Sequence, residues 1–218
     1  TLPIVRRMLP QTLPKSSRQN QNMMNLIRKV HGLVERPDLT KHRQSQDRIG
    51  AILGTEKGIA YEETEVDGMS CEWVKVERAH LKRYVILYCH GGGYSTGSTV
   101  YARTLTTKLA ESTGMDVFCF NYRLAPECKF PAAAEDAMNY LMYLGYGARD
   151  VIVAGDSAGG NLALSLTLKL KDEGRMLPRG LALMSPWTDL TKSGKSYQTR
   201  SSVDPVLDHE YLDRMIEN

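Results

Sequence analysis

Long apolar runs are missing from this sequence. The longest, such as Val151-Ile152-Val153-Ala154, hold a handful of residues, well short of the roughly 18 that a membrane-spanning helix needs. Aromatic side chains make up only 7% of the chain, and none falls within residues 1–50. That same stretch carries ten Lys/Arg against three Asp/Glu, whereas the rest of the chain carries 18 against 22. A basic arm of this kind invites nucleic acid or anionic lipid. Lacking aromatic platforms, it has nothing on which single-stranded bases stack. It reads as a solvated helical segment, and no nucleic-acid partner is expected. Cysteine is scarce: Cys71, Cys89, Cys119 and Cys128 show no C-x-x-C spacing and no Cys/His cluster, which speaks against a zinc site. Cys89 and Cys119 lie inside apolar runs, where cysteine acts as a small buried hydrophobe. There is no N-x-[ST] sequon and no apolar signal core near Thr1. Reduced thiols and a cytoplasmic location are expected. With 42% hydrophobic and 24% charged residues, wholesale disorder and a coiled coil are excluded.

What is present is an alternation. From Ser17 to Arg36, apolar residues at 23, 26, 27, 30, 33 and 34 have helical spacing, and Pro37 stops them. A more polar helix is expected over Leu39–Leu53, closed by Gly54. Tyr61–Val66 and Cys71–Val76 flank Asp67-Gly68, a hairpin signal. Beyond it, apolar strands at Tyr84–Cys89, Met115–Phe120, Val151–Ala154 and Gly180–Met184 alternate with helices at Val100–Ser112, Pro131–Leu144 and Ala158–Lys171. Short, unbroken apolar strands between helices mean crossover units and a parallel sheet buried on both faces.

Chemistry concentrates at two places. Gly155-Asp156-Ser157-Ala158-Gly159 is G-x-S-x-G with a strand before it and a helix after it, the context a nucleophile elbow needs. Ser157 is the candidate nucleophile, and the helix start puts the Ala158 N–H and a positive dipole end beside it. Asp156 is read as structural or as a pocket-wall acid. Cys89-His90-Gly91-Gly92-Gly93-Tyr94 follows a strand. Its glycines free the backbone to aim N–H groups at one spot, the form of an oxyanion loop. A dinucleotide loop fails, because Gly91, Gly93 and Gly97 leave one residue too many for G-x-G-x-x-G. A P-loop at Gly194-Lys195-Ser196 fails because Asp189 stands where a glycine is required. The backbone of His90 is committed to the loop, so its ring buttresses the glycines rather than acting as a base.

In order along the chain come His90-Gly91-Gly92-Gly93, Asn121-Tyr122-Arg123-Leu124-Ala125-Pro126-Glu127, Phe130-Pro131-Ala132-Ala133, Gly155-Asp156-Ser157-Ala158-Gly159-Gly160 and Ser185-Pro186-Trp187-Thr188-Asp189-Leu190. Together they resemble the bacterial hormone-sensitive-lipase-like branch of the α/β-hydrolases, over roughly residues 55–215. The resemblance implies an α/β-hydrolase fold: a mostly parallel sheet, helices on both faces, and an N-terminal helical cap at 1–54 preceding a core at 55–218. It implies hydrolysis of short-chain acyl esters through an acyl-enzyme, with no cofactor and no metal. Ser157 is the implied nucleophile, and Gly91, Gly92 and Ala158 are the implied oxyanion donors. Tyr122, Arg123, Glu127 and Asp189 match structural positions.

The family orders its triad serine, acid, histidine, beyond two further strands. The expected acid and histidine loops, and the last strands, are absent here. His209, the only histidine after Ser157, matches a connection rather than the histidine loop. The open accounts are a truncated or nicked esterase, an inactive remnant, and a small-molecule binding module such as the plant gibberellin receptors, which resemble this family. The strand at Gly180–Met184 is expected to be an open edge, held by another protomer or by the missing C-terminal segment.

Overall fold

The structure is a computed structural model, and it describes residues 18–34, 38–54, 56–77, 83–200 and 203–218. The irregular lead-in expected over residues 1–15, and the end of the first helix at Glu35, Arg36 and Pro37, lie outside the described residues.

Helices α1 (Arg18–Val34) and α2 (Leu39–Leu53) precede a hairpin of β1 (Ile59–Val66) and β2 (Met69–Val76). Asp67 and Gly68 turn it with φ of 52° and 78°, the paired positive angles of a type I′ turn, whose twist matches that of the strands. Strand and helix then alternate through β3 (Val85–Cys89), α3 (Thr99–Thr113), β4 (Asp116–Phe120), α4 (Ala132–Tyr143), β5 (Val151–Asp156), α5 (Ser157–Asp172) and β6 (Gly180–Met184). Helices α6 (Lys195–Arg200) and α7 (His209–Glu217) follow. No helix among the described residues is long and apolar enough to cross a membrane.

The six strands form one sheet in the order β1-β2-β4-β3-β5-β6. The hairpin joins antiparallel through β2 and β4, and the neighbours from β4 to β6 are parallel. This is the α/β-hydrolase arrangement expected, with apolar side chains on both faces of the central strands. Val85, Leu87, Phe118, Phe120, Val151 and Val153 pack with α4 and α5. Ile86, Tyr88, Val117, Cys119 and Ala154 pack with Ala102 and Ala110 of α3. Each fully buried Val, Leu or Phe contributes about 1.5–3 kcal/mol. At the far edge β6 pairs with β5 alone among the described residues, and Leu181 on it is 37% exposed.

One charged pair is sunk into this architecture. Glu72 of β2 is fully buried and accepts from Arg103 Nε of α3 at 2.8 Å. Burial pushes the Glu72 carboxyl above its ordinary value, and the Arg103 bond holds the rise back. Helix α2 packs along α3. A Cβ at Gly50 would lie 2.2 Å from Val100 O, so only glycine allows the two backbones this close.

Candidate active site

Strand β5 runs straight into α5 without an intervening loop, and Ser157 is the first residue of the helix. Its φ is +51°, a conformation that costs a non-glycine residue energy and persists only where the surroundings hold it. The Ser157 carbonyl accepts from Trp187 N at 2.9 Å. Gly159 lets the turn close: a Cβ there would lie 2.0 Å from Cys89 O and 2.4 Å from His90 O. The elbow and the glycine loop are thus pressed backbone to backbone.

The glycine loop is braced from several sides. Gly91 N donates to Asp156 Oδ1 at 2.9 Å, and Tyr88 Oη donates to the same oxygen at 2.7 Å. Gly91, one of the oxyanion donors expected from the resemblance, has its single N–H engaged by Asp156, the residue before Ser157. Asp156 braces the loop and also lines the Ser157 cleft, so it sits where both roles read for it, structural and pocket-wall, are available, and burial pushes its carboxyl up against the opposing pull of these two bonds. Gly92 has φ +120°, and its carbonyl accepts from Thr96 N at 2.9 Å and Ser95 N at 3.1 Å. Gly92 and Gly93, unlike Gly91, line the cleft that contains Ser157.

His90 sits beneath the loop. Its ring stacks on Tyr122 at 4.2 Å, and Nδ1 lies 2.8 Å from Gly91 O. Burial lowers its pKa to about 4, so the ring is neutral at physiological pH and Nδ1–H donates to the carbonyl. Tyr122 Oη donates to His90 O at 2.7 Å. The buttressing role read from the sequence fits this geometry.

From the other side comes α2. Arg43 donates from Nε to Ser95 O at 2.8 Å and from Nη2 to Ala125 O at 3.0 Å, and it grips Glu127 with two bonds of 2.8 Å. Gln46 Oε1 accepts from Gly97 N at 3.1 Å. Arg43 brings Glu127 down to about 2. Arg123 is locked in turn, donating from its backbone N and its Nε to Asp136 at 2.8 and 2.9 Å. Asp189 accepts from Thr191 N at 3.0 Å and Ser193 N at 2.8 Å, and these bonds with the Thr191 and Ser193 hydroxyls bring it to about 2. The structural roles expected for Tyr122, Arg123, Glu127 and Asp189 match these bonds.

The Ser157 cleft has a volume of about 480 Å³. Gly92, Gly93 and Ser157 form one side of it, Trp187 and Tyr197 another, and Tyr211, Leu212 and Met215 of α7 a third. His31 of α1 also lines it, 6.0 Å edge-on from the Tyr211 ring. Sequence reasoning missed His31. His209 is exposed and lines a separate hollow with Arg200 and Asp204. The described residues bring neither a histidine nor a carboxylate into hydrogen bond with the Ser157 hydroxyl. No cluster of three or more metal-ligating side chains occurs among them.

A family model described as alpha/beta hydrolase fold matches residues 86–218. The chain is 37% identical over 190 residues to an acetyl-hydrolase of Streptomyces hygroscopicus, covering 86% of this chain and 61% of that protein. It is 39% identical over 154 residues to an esterase of Acinetobacter venetianus, covering 69% and 50%. The crystal structure of an esterase from the bacterial hormone-sensitive lipase family superposes with a TM-score of 0.82 at 30% identity, covering 93% of this chain and 68% of that one. The chain thus spans between half and two thirds of the length of these two curated relatives.

Proposed function

The chain belongs to the α/β-hydrolase fold family, in its hormone-sensitive-lipase-like branch, and from that membership we propose that it carries the nucleophile and oxyanion half of a serine carboxylesterase. The observation that carries the reading is Ser157, held at φ +51° at a strand–helix junction in the same cleft as two loop glycines. Ser157 Oγ, giving its proton to a base, attacks the carbonyl carbon of a short-chain acyl ester, the carbonyl oxygen becomes an oxyanion, and collapse breaks the bond to the alkoxide, which takes that proton and leaves as the alcohol with the acyl group on Oγ. Water then attacks the acyl-enzyme and releases the acid. The oxyanion is received by the N–H groups of Gly92 and Gly93 and by that of Ala158. This donor set keeps Gly92 and Ala158 and takes Gly93 in place of the engaged Gly91. Donors fixed in advance at such a site are typically worth about a hundred- to a thousandfold each in rate.

The base that takes the Ser157 proton is assigned to the part of the family's pattern that follows Ser157, acid first and histidine second. A hydroxyl without that base is a weak nucleophile. The alternative use of the same cleft is a small-molecule binding module. A serine-directed fluorophosphonate and p-nitrophenyl acetate separate the two in the full-length protein. Labelling at Ser157, with hydrolysis falling about a thousandfold or more in Ser157→Ala, supports the esterase. A folded protein with no adduct at Ser157 leaves the binding module.

A further inference from the structure

Helix α1 lays one face on the body and leaves its apolar face uncovered. Arg28 donates from Nη2 to Val203 O at 2.9 Å, and the His31 ring meets Tyr211 edge-on. Met24, one turn before Arg28, is half-buried. Positions 24, 28 and 31 therefore make the inner face. Met23, Leu26, Ile27 and Val30 share a helical spacing of their own and are 36% to 55% exposed. At 3.6 residues per turn, their stripe stands roughly a third of a turn from the inner face. An exposed apolar residue standing singly needs no explanation, but four in one stripe mark a surface that meets something.

The charge around the stripe has one sign. Residues 1–34 hold Arg6, Arg7, Lys15, Arg18, Arg28 and Lys29 and no Asp or Glu. Lys29 is exposed, on the flank of the stripe away from the inner face. Two copies meeting stripe to stripe would set these cations against each other. A nucleic acid would use the cations and leave the stripe in water. A protein groove that wraps a helix needs most of its circumference, and the inner face is already taken. A flat anionic surface with an apolar interior uses cations and stripe together and needs one side only.

We infer that this stripe of α1 is a docking face for a membrane leaflet rich in anionic phospholipid. The helix lies in the interfacial plane, with Met23, Leu26, Ile27 and Val30 turned toward the acyl chains. The surface is separate from the chemistry proposed for Ser157 and does not depend on it. The same helix lines the Ser157 cleft through His31, so docking holds that cleft at the lipid surface.

The test is flotation of the full-length protein with vesicles of phosphatidylcholine and phosphatidylglycerol in equal parts, and with vesicles of phosphatidylcholine alone. Binding is expected to the anionic vesicles and should weaken as salt is raised. Lys29→Gln should lower it roughly fivefold, the worth of one cation near such a surface. The double variant Leu26→Gln, Ile27→Gln should lower it at least about tenfold. All three positions are exposed, so the circular dichroism spectrum should not change. The adjacent methionines supply a second readout. With ¹³C at the methionine methyls and nitroxide-labelled lipid in the vesicles, the Met23 methyl should broaden strongly and the Met24 methyl little, with Met23→Leu and Met24→Leu assigning the two signals. Absence of binding to the anionic vesicles, equal binding to phosphatidylcholine alone, binding untouched by the double variant, or equal broadening of the two methyls overturns the inference. A vesicle-free dimer abolished by the double variant overturns it in favour of a second copy. A Met23 methyl shielded from a soluble paramagnet in the free protein overturns it in favour of the rest of the chain. RNA binding as tight as vesicle binding and indifferent to the double variant overturns it in favour of nucleic acid.

Discussion

Replacing Arg43 by methionine removes the clamp between α2 and the glycine loop without removing the aliphatic stem. Two of the lost bonds run to main-chain carbonyls, Ser95 O and Ala125 O, and Ser95 is fully buried. Hydrogen bonds to a charged donor are each worth about 1.5–3 kcal/mol. The pair with Glu127 is worth less, because the Glu127 side chain is 56% exposed, and exposed pairs give about 0.2–1 kcal/mol. Most of the loss therefore belongs to the carbonyls. Arg43→Met should cost about 3–6 kcal/mol, a large part of a domain's usual 5–15 kcal/mol, whereas Glu127→Gln should cost under about 1 kcal/mol. The pH dependence has a definite sign. Glu127 is depressed to about 2 in the folded protein, so its contribution is present above the ordinary carboxylate value and fades as pH falls through that window toward about 2. That acid limb should be shallow in the wild type and vanish in Arg43→Met. Urea unfolding followed by circular dichroism from pH 2 to 7 reads both numbers, and amide exchange at Ser95 and Thr96 should rise in Arg43→Met alone. Equal losses for Arg43→Met and Glu127→Gln would refute the argument, because the exposed pair would then carry the clamp.

Asp156→Ala leaves Gly91 N–H and the Tyr88 hydroxyl without their shared acceptor and should cost about 1–3 kcal/mol per group, read from urea midpoints. Asp156→Asn keeps an acceptor and sheds the charge. Because burial raises the folded carboxyl, the wild type loses stability as pH rises through that raised value, and Asp156→Asn should flatten the slope. Arg103→Met strands Glu72 as a buried carboxylate and should cost about 3–5 kcal/mol at neutral pH. The loss should shrink as pH falls and Glu72 takes up its proton, and a loss independent of pH would contradict the buried-charge account. The one-sided pairing of β6 predicts association through that edge. Light scattering of residues 1–218 should show a species larger than 24.4 kDa or aggregation, and a cooperative monomer would rule it out.

The elements were legible because their signals are local. The strand ending at Asp156 and the helix beginning at Ser157 surround a motif whose residues are neighbours in sequence. The hairpin turn is written in two adjacent residues, Asp67 and Gly68. What escaped depends on distant partners. Nothing local distinguishes Gly91 from Gly92 and Gly93, since all three carry the same N–H; the difference is an acceptor 65 residues away. Arg43 and Glu127 are 84 residues apart, and no spacing rule joins them. His31 enters the cleft because α1 lies over the α6–α7 connection and the start of α7, with Arg28 Nη2 donating to Val203 O at 2.9 Å and the His31 ring edge-on to Tyr211. A helical repeat tells which face of α1 is apolar, not what it will lie against.

These distant bonds share a geometry that bears on the chemistry. Asp156 holds the loop at Gly91, and Arg43 holds it at Ser95. Between them lie Gly92 and Gly93, the two residues whose backbone faces the cleft. An oxyanion donor is effective to the extent that it stands in place before charge develops, and a backbone segment pinned at both ends meets that condition better than a free glycine loop. The pin at Gly91 is also the residue before Ser157. One carboxylate therefore ties the glycine loop to the strand–helix elbow, so a displacement of Ser157 carries Gly92 and Gly93 with it. On this argument Asp156 is positioned by the needs of registration rather than acidity, which is why an asparagine that keeps the acceptor should preserve the site and an alanine should not.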